Sequence, residues 1–323
     1  MKLGFFILLV SGFSLSTVAA AELVCEESDD EIVITRDGRH VLTYNKTVRV
    51  PADVGEEYGR SGFIHPISTP SGRVLTDGYP VPHHAHQHGL FFAWKAGTFE
   101  GEKVNFWEPG KDVVRHVKVL EIINEGDAAG FRVELAHDSG DKKVLTETWT
   151  VTVEGETGHI DLVSEQRCAS ESPLTLDQIH YGAMALRGSR QWFPDAHTSM
   201  DKGATKDEFV EVCTMITSEG LTQEDGNHSR PEWVSMTGAI DGAPVAITLI
   251  PHPSNFRYPQ HVRLHPKMPY FCFIPTVEEP FTIEPGETWV SRYRIVVGDG
   301  ELDGEEIELV REGYVLGDSG VGE

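Results

Sequence analysis

Long apolar runs and basic residues are both scarce in this sequence of 323 residues. After the first 24 positions, no segment approaches the roughly 18 consecutive apolar residues of a transmembrane helix, so we expect no membrane span in the mature chain. Lysine and arginine number 27 against 51 aspartates and glutamates, a formal net charge of −24. A chain this acidic repels the phosphates of nucleic acids and of anionic membranes, so neither is expected as a partner.

Cysteine pairs and cofactor motifs are also missing. The four cysteines, Cys25, Cys168, Cys213 and Cys272, form no CxxC pair, which argues against a zinc knuckle or a thioredoxin-type centre. Disulfides and buried free thiols both remain open. The sequence contains no P-loop, GxGxxG, GxSxG or HExxH motif, so no nucleotide cofactor is expected.

The N-terminus has the features of a secretory signal peptide. Lys2 precedes a short apolar run, and Ala19, Ala20 and Ala21 offer a cleavage site. We therefore expect residues 1–21 to be removed, the protein to be secreted or periplasmic, and residues 22–323 to form one domain.

Strand patterns dominate the rest of the chain. "EIVITRDGRHVLTYN" is typical of a hairpin around Asp37–Gly38. Residues 113–168 predict a meander of four strands, and in the third of them Glu147 and Trp149 alternate with threonines. "PLTLDQIHYGAMALRG" predicts one further strand, and a helical period appears only near "DGEEIELVREGY". These patterns predict an all-β fold, a large antiparallel β-sandwich. The polar stretch 195–230 is expected to be a long excursion.

The segment "PHHAHQHGLFFAW" concentrates histidines at positions 83, 84, 86 and 88. As a strand, it would place His84, His86 and His88 on one face, where they could bind a divalent transition metal together with a carboxylate such as Glu100, Glu102 or Glu108. Alternatively, His84 and His86 act without a metal as acid–base or ligand-orienting groups, because the pKa of histidine lies near neutrality.

Polar and aromatic residues elsewhere complete a candidate ligand site. Arginine can bind hydroxyl or carboxylate groups, and loops after strands commonly carry binding residues. The expected substrate-binding residues are Arg60, His65, Trp94, Tyr181, Arg187, Asn255, Arg257 and Tyr258.

Three blocks resemble the bacterial PmoA-like family, whose function is unknown. They are "YGRSGFIHPISTPSGRVLTDGYPVPHHAHQHGLFFAW", "YGAMALRG" and "HPSNFRYP…RYRIVVGDG", and together they span nearly the whole mature chain. The central family block has the form D-H-P-H-H-x-G, in which this chain keeps His84 and His86 but has His83 for the acid and Gln87 for a histidine. The resemblance therefore supports His84 and His86 most. The β-rich length of such a chain is similar to that of the galactose-mutarotase-like supersandwich, so we expect that form of sandwich by analogy of fold.

The sequence thus leaves three hypotheses about function. The first is a carbohydrate-active or carbohydrate-binding protein with a histidine-rich site and mutarotase-like acid–base chemistry. The second is a metal-dependent enzyme that uses His84, His86 and His88. The third is a non-catalytic protein that binds a carbohydrate or takes part in an assembly. In each case the expected partner is a glycan or another small molecule.

Overall fold

The computed structural model describes residues 21–81, 84–193 and 205–318. The predicted signal peptide lies outside these residues except for Ala21, as do His83 and the start of the polar stretch 195–230. Strands are the predominant element of the described chain, which contains twenty of them. They are β1 (Leu23–Glu27), β2 (Glu31–Arg36), β3 (Arg39–Asn45), β4 (Phe63–Ile67), β5 (Leu90–Ala93), β6 (Gly97–Phe99), β7 (Glu102–Val104), β8 (Asp112–Glu125), β9 (Ala128–Ser139), β10 (Lys142–Glu154), β11 (Ile160–Cys168), β12 (Leu174–Leu176), β13 (Ala183–Arg187), β14 (Cys213–Thr217), β15 (Val234–Ile240), β16 (Ala243–Pro251), β17 (His261–Leu264), β18 (Tyr270–Ile274), β19 (Phe281–Ile283) and β20 (Trp289–Asp299).

The strands form two large sheets and one small sheet. The first has eight strands in the order β1-β2-β3-β4-β5-β13-β18-β17. The second has eight strands in the order β14-β15-β16-β20-β11-β10-β9-β8, and the small sheet has the order β19-β12-β6-β7. Neighbouring strands pair antiparallel, as in the pairs β13–β18 and β17–β18. The predicted all-β antiparallel sandwich is therefore confirmed.

The local turn chemistry explains two of the confirmed elements. Asp37 and Gly38 both have positive φ, 52° and 72°, which suits the tight turn that joins β2 to β3. Strands β8 to β11 form the predicted meander, with each strand paired to the next.

The two large sheets face each other across one hydrophobic core. Tyr44 of the first sheet contacts Phe131 and Trp149 of the second, with ring centroids 5.1 and 6.3 Å apart. Phe92 contacts Trp289 in the same way at 5.7 Å. Because side chains alternate along a strand, each of these sheets also has an outer face turned away from this core.

The segment "PLTLDQIHYGAMALRG" departs from its prediction. It forms two strands rather than one: β12 belongs to the small sheet and β13 to the first large sheet. Gly182 separates them with φ of 130°, a conformation that residues with a side chain rarely adopt. Tyr181 therefore lies in the connection between the two strands, whereas Arg187 is the last residue of β13.

Helices are short and peripheral. They are α1 (Lys206–Val212), α2 (Gln223–Gly226) and α3 (Gly304–Asp318), with 3₁₀ turns at Glu56–Tyr58 and Arg190–Trp192. The last helix agrees with the helical period seen near the C-terminus. In the described part of the chain, no helix has the length and apolar character needed to cross a membrane. All four cysteines are free thiols.

Candidate functional site

The candidate site lies on the outer face of the first large sheet. Arg263 of β17 pairs with Cys272 of β18, and Cys272 pairs with Ala185 of β13. Arg187 and Tyr270 are likewise opposite each other. Phe273, which is paired with Met184, contacts Tyr293 of the second large sheet at 6.5 Å and so faces the core. The alternating residues Arg187, Tyr270 and Arg263 therefore belong to the outer face.

Histidines and aromatic rings gather on this face. The ring of His84 lies 5.5 Å from that of His86 and 6.2 Å from that of His265, measured between centroids. Beneath them, Trp107 lies 6.5 Å from His86, 5.8 Å from Tyr181 and 6.0 Å from Tyr270. We call these six residues the histidine site: His84, His86, His265, Trp107, Tyr181 and Tyr270.

The histidine site has a buried floor and an accessible rim. Trp107 and Tyr270 are each only 3% exposed, and the Tyr270 hydroxyl donates a hydrogen bond to Cys272 Sγ at 3.0 Å. His84, His86, His265 and Tyr181 are half-buried. A ligand can therefore reach imidazole and phenol groups, whereas Trp107 and Tyr270 support them from below.

The loop that carries His84 and His86 is fixed by its backbone. Gly89 has φ of 60°, and a Cβ atom there would lie 2.3 Å from the carbonyl oxygen of Ile64, so only glycine fits. The Gly89 amide donates to Asp77 O and its carbonyl accepts from the Arg187 amide. His84 also has positive φ, 63°; backbone strain of this kind is concentrated at ligand sites.

The predicted three-histidine face is not formed. Residues 84–87 are a turn rather than a strand, so the two-residue period used in that prediction does not apply. His88 is 1% exposed, and its ring packs against Tyr79, Phe63 and Phe91 at 4.5, 5.0 and 6.1 Å. His265, which directly follows β17, takes the place beside His84 that the prediction gave to His88.

The described residues of this arrangement do not form a set of metal ligands. Within residues 21–81, 84–193 and 205–318, no group of three or more histidine, cysteine, aspartate or glutamate side chains is placed to hold a metal ion. The metal site at His84, His86 and His88 therefore stays a prediction without a described geometry.

Burial keeps two imidazoles of the histidine site, His86 and His265, neutral. It lowers the pKa of His86 to about 4 and that of His265 to about 3, and nearby positive charges act in the same direction. Burial also raises the pKa of the Tyr181 phenol. At neutral pH each of these groups therefore has both a hydrogen-bond donor and an acceptor.

An ion pair borders the histidine site. Lys95 Nζ lies 2.8 Å from Glu108 Oε2 and 5.6 Å from the centre of the Tyr181 ring. The hydrogen bond from Lys95 lowers the pKa of Glu108, so this carboxylate is ionised at neutral pH. The negative charge of Glu108 also acts on His86. Glu108 is thus a carboxylate whose negative charge acts on the histidine site.

Three predicted site residues lie outside the histidine site or are buried below it. Trp94 is buried between the sheets, where its indole donates to Gln166 Oε1 at 2.7 Å. Arg60 is buried below the site and donates to Phe92 O at 2.6 Å. His65 bonds Thr76 Oγ1 at 2.9 Å beside the cis bond to Pro66. Trp94 Nε1 and His65 Nδ1 therefore already have hydrogen-bond partners inside the fold.

The loop 255–258 is also held by internal bonds. Asn255 exchanges two hydrogen bonds with the backbone of Arg292, at 2.7 and 2.8 Å. Arg257 donates to Pro275 O and Glu279 O at 2.6 and 2.7 Å, and Tyr258 donates to Glu232 Oε1 at 3.2 Å. These contacts account for all three side chains without a ligand, so the predicted role of the loop in closing the site has no support in its geometry.

Of the predicted residues, the structure brings together His84, His86, Tyr181 and Arg187. It adds His265, Tyr270, Arg263 and Lys95, which sequence reasoning missed. A signal for two of them was present: in "HVRLH", His261, Arg263 and His265 alternate with Val262 and Leu264, the pattern of a strand with a polar outer face.

Two cavities are relevant to ligand entry. A cavity of about 40 Å³ lies beside His86, Arg60 and Glu108, far smaller than the ~300–1,000 Å³ of pockets that enclose small molecules. A larger cavity of about 470 Å³ lies at the start of β3, between Arg36 and His40. No phenylalanine, tyrosine or tryptophan lines it, and the ring nitrogens of His40 are bonded to Ser68 and Thr43 within the fold. A ligand of the histidine site must therefore lie on an open surface.

Residues 31–311 match the family DUF6807, described as a family of unknown function. The chain belongs to DUF6807. The resemblance to the PmoA-like family is therefore wrong, and the alignment of His84 and His86 with that family's central block falls with it. In this member of DUF6807, the two residues are candidates on their geometry alone.

No curated protein matches the chain. Several solved structures are similar to it at low identity. An alpha-N-acetylgalactosaminidase from Bifidobacterium bifidum is 13% identical with a TM-score of 0.40, over 93% of this chain and 38% of that one. An alpha-galactosidase from Geobacillus stearothermophilus is 13% identical with a TM-score of 0.41, over 88% and 40%. A heparan sulfate lyase from Pedobacter heparinus is 8% identical with a TM-score of 0.41, over 88% and 36%. The chain thus spans about two fifths of the length of these structures, and such similarity gives no basis for a function.

Proposed function

We propose that this DUF6807 protein binds a carbohydrate at the histidine site. The observation that carries the proposal is the set of imidazoles at His84, His86 and His265 beside the Tyr181 phenol, all partly exposed on one surface. Burial keeps His86 and His265 neutral. A sugar hydroxyl both donates and accepts a hydrogen bond, and so do a neutral imidazole and a phenol. The Lys95–Glu108 pair adds a donor and an acceptor at the rim.

The same groups have the capacity for acid–base chemistry. With a pKa of about 4, His86 is neutral at pH 7 and suited to accept a proton. The raised pKa of Tyr181 keeps its proton available for donation. In a mutarotase-like reaction, Tyr181 would therefore donate its proton to the ring oxygen while the bond between that oxygen and the anomeric carbon breaks, and His86 or Glu108 would accept the proton of the anomeric hydroxyl. The open-chain aldehyde would then reclose on its other face, with both protons returned.

Export remains part of the proposal. The predicted signal peptide would place the protein where polysaccharides outside the cytoplasm are accessible. N-terminal sequencing of the protein recovered from its native host tests this directly, and an N-terminus at residue 22 is the expected result.

A matched pair of histidine variants tests the site. Binding to a panel of neutral and acidic oligosaccharides is measured by calorimetry for the wild type, His86→Gln and His40→Gln. Loss of one hydrogen bond predicts affinity about tenfold weaker for His86→Gln, with His40→Gln within about twofold. Thermal melting of each variant verifies folding. The reverse order would move the site to the cavity between Arg36 and His40, and no binding by the wild type would refute the proposal.

Turnover separates binding from catalysis. NMR spectra of each bound sugar are followed over time with catalytic amounts of protein. A change in anomer ratio or in linkage, slowed in both His86→Gln and Tyr181→Phe, is the result expected of an acid–base enzyme. Binding without any spectral change would leave a carbohydrate-binding protein.

A further inference from the structure

Positive charge is concentrated around the histidine site, although the chain as a whole carries a net charge of −24. The positive charges of Lys95, Arg187 and Arg60 all act on His86. Those of Arg263, Arg187 and Lys267 act on His265. Five cations from four separate stretches of chain therefore lie near two imidazoles. Lys95 is paired with Glu108 and Arg60 is balanced by Glu147, so the positive charge not balanced in this way belongs to Arg187, Arg263 and Lys267.

Arg187 is a buried cation without a bound carboxylate. It is 2% exposed, and it donates to Gln87 Oε1 at 3.1 Å and to Met268 Sδ at 3.6 Å, neither of which is charged. Its Nε atom has no hydrogen-bond partner. The nearby carboxylate of Asp77 is bound at both oxygens by Arg190, at 3.1 Å each. A buried guanidinium in this state is stabilised by any further negative charge that approaches.

Arg263 and Lys267 continue the positive surface to the accessible rim. Both are half-buried, and in the part of the chain that the structure describes neither forms an ion pair. Arg263 also acts on His228, whose ring lies 5.2 Å from that of His180. The rim beside His265 thus offers cationic and imidazole donors with no carboxylate bound to them.

Acidic groups near the site are already neutralised by other partners. Glu108 is paired with Lys95, and Asp77 with Arg190. In a chain with almost twice as many acidic as basic residues, such an arrangement is unexpected for a surface that only needs to be soluble. It is the arrangement that recognition of an anion requires.

The geometry points to an acidic carbohydrate as the ligand of the histidine site, one that carries a carboxylate or a sulfate group beside Arg263 and Lys267. This inference rests on the proposed function and narrows its ligand class. The anionic group lies against the Arg263–Lys267 rim above Arg187, and the neutral hydroxyls of the sugar contact His84, His86 and Tyr181.

Matched polysaccharides test the inference. Polygalacturonate and alginate are each compared with their carboxyl-reduced forms, and chondroitin sulfate with its desulfated form, by affinity electrophoresis and calorimetry at low and high salt. The acidic forms are expected to bind at least about tenfold more tightly, and their advantage should shrink as salt increases. Loss of the advantage on carboxyl reduction identifies a carboxylate ligand, and loss on desulfation identifies a sulfate.

Charge-matched variants locate the effect. Arg263→Gln and Lys267→Gln are expected to weaken binding of the acidic form by about tenfold each and to leave the neutral form within about twofold. Lys118→Gln removes the same charge from β8 in the second sheet, where Lys118 pairs with Glu134, and should change neither.

The outcomes separate the two proposals. Equal affinity for acidic and neutral forms would overturn the acidic ligand and leave carbohydrate binding in place. An equal loss in Lys118→Gln would show nonspecific attraction and also overturn it. Failure of every carbohydrate to bind would refute the proposed function, and the acidic ligand with it.

Discussion

The carboxylate of Glu147 is fully buried between the two large sheets. It accepts hydrogen bonds from His137 and Trp149 at 2.7 Å, from Ser164 at 2.5 Å and from Gln166 at 3.1 Å. Burial raises the pKa of Glu147, but the hydrogen bonds, that from His137 above all, outweigh burial and lower it. The group is therefore a structural anion, which the positive charge of buried Arg60 helps to balance.

Replacing that anion should destabilise the fold. Glu147→Gln keeps the shape but removes the charge that four donors share, so the free energy of unfolding should fall by about 3 kcal/mol. Urea unfolding measures this, with Thr148→Val on the opposite face of β10 as a control expected within about 0.5 kcal/mol. Equal stability of Glu147→Gln and the wild type would mean that the carboxyl group is not an anion in the folded protein.

At the scale of elements, the loop between residues 84 and 89 decides the geometry of the site. Its end is fixed because Gly89 approaches Ile64 O more closely than any side chain allows. Its other contacts are polar: the Gln87 amide donates to His84 O at 2.8 Å, and the Gln87 side chain accepts from Arg187. A small backbone shift at Gly89 would therefore move His86 relative to His265.

Gly89→Ala should disturb this loop strongly. The new methyl group would lie 2.3 Å from Ile64 O at φ of 60°, so we expect a loss of about 2–4 kcal/mol in unfolding free energy together with weaker ligand binding. Gly72→Ala is the matched control, because Gly72 also has positive φ but a Cβ there meets nothing within 4 Å. Similar losses of unfolding free energy in the two variants would show that the contact with Ile64 O adds no cost beyond that of positive φ.

How far the sequence predicts these elements depends on their periodicity. Strands β8 to β11 were predictable because buried and exposed residues alternate for long stretches, as at Trp149 and Thr148. The conformation of the histidine segment was not predictable, because its residue pattern is compatible both with a strand and with a turn that has positive φ at His84. His265 was missed because the alternation in "HVRLH" indicates a polar strand face but does not encode the contact with His84, which is distant in sequence.

At the scale of the whole molecule, neutral buried histidines make stability depend on pH. Burial lowers the pKa of His65, His86 and His116 to about 4 and that of His265 to about 3. Between these values and the ordinary value of about 6.5, the unfolded chain binds more protons than the folded one. The stabilisation is therefore complete above pH 6.5 and is lost as pH falls towards 4.

Thermal melting across pH tests this account. Tm should be flat from pH 8 to about 6.5 and fall steadily from there to pH 4.5. The Tm of His116→Gln should fall less steeply than that of the wild type over that interval. The Tm of His180→Gln, at an exposed histidine, should fall as steeply as that of the wild type. A Tm that stays constant down to pH 4.5 would contradict the burial of the four imidazoles.

The overall sandwich was predictable from composition and alternation, but the packing of its sheets was not. Trp94 was expected to bind a substrate because it ends the histidine segment, yet β5 and the residue after it pass into the core, where the Trp94 indole donates to Gln166. Arg257 was expected to bind a ligand because it lies in a loop, but the carbonyls of Pro275 and Glu279 already occupy its guanidinium. In each case the partner is distant in sequence.

The central claim is that the ligand binds on the outer face of the first sheet. A crystal structure with the tightest-binding oligosaccharide of the panel tests it most directly. The account predicts that the sugar contacts His86, Tyr181 and Arg263 above the ring of Trp107. A sugar bound instead in the cavity between Arg36 and His40, with the histidine site empty, would contradict it.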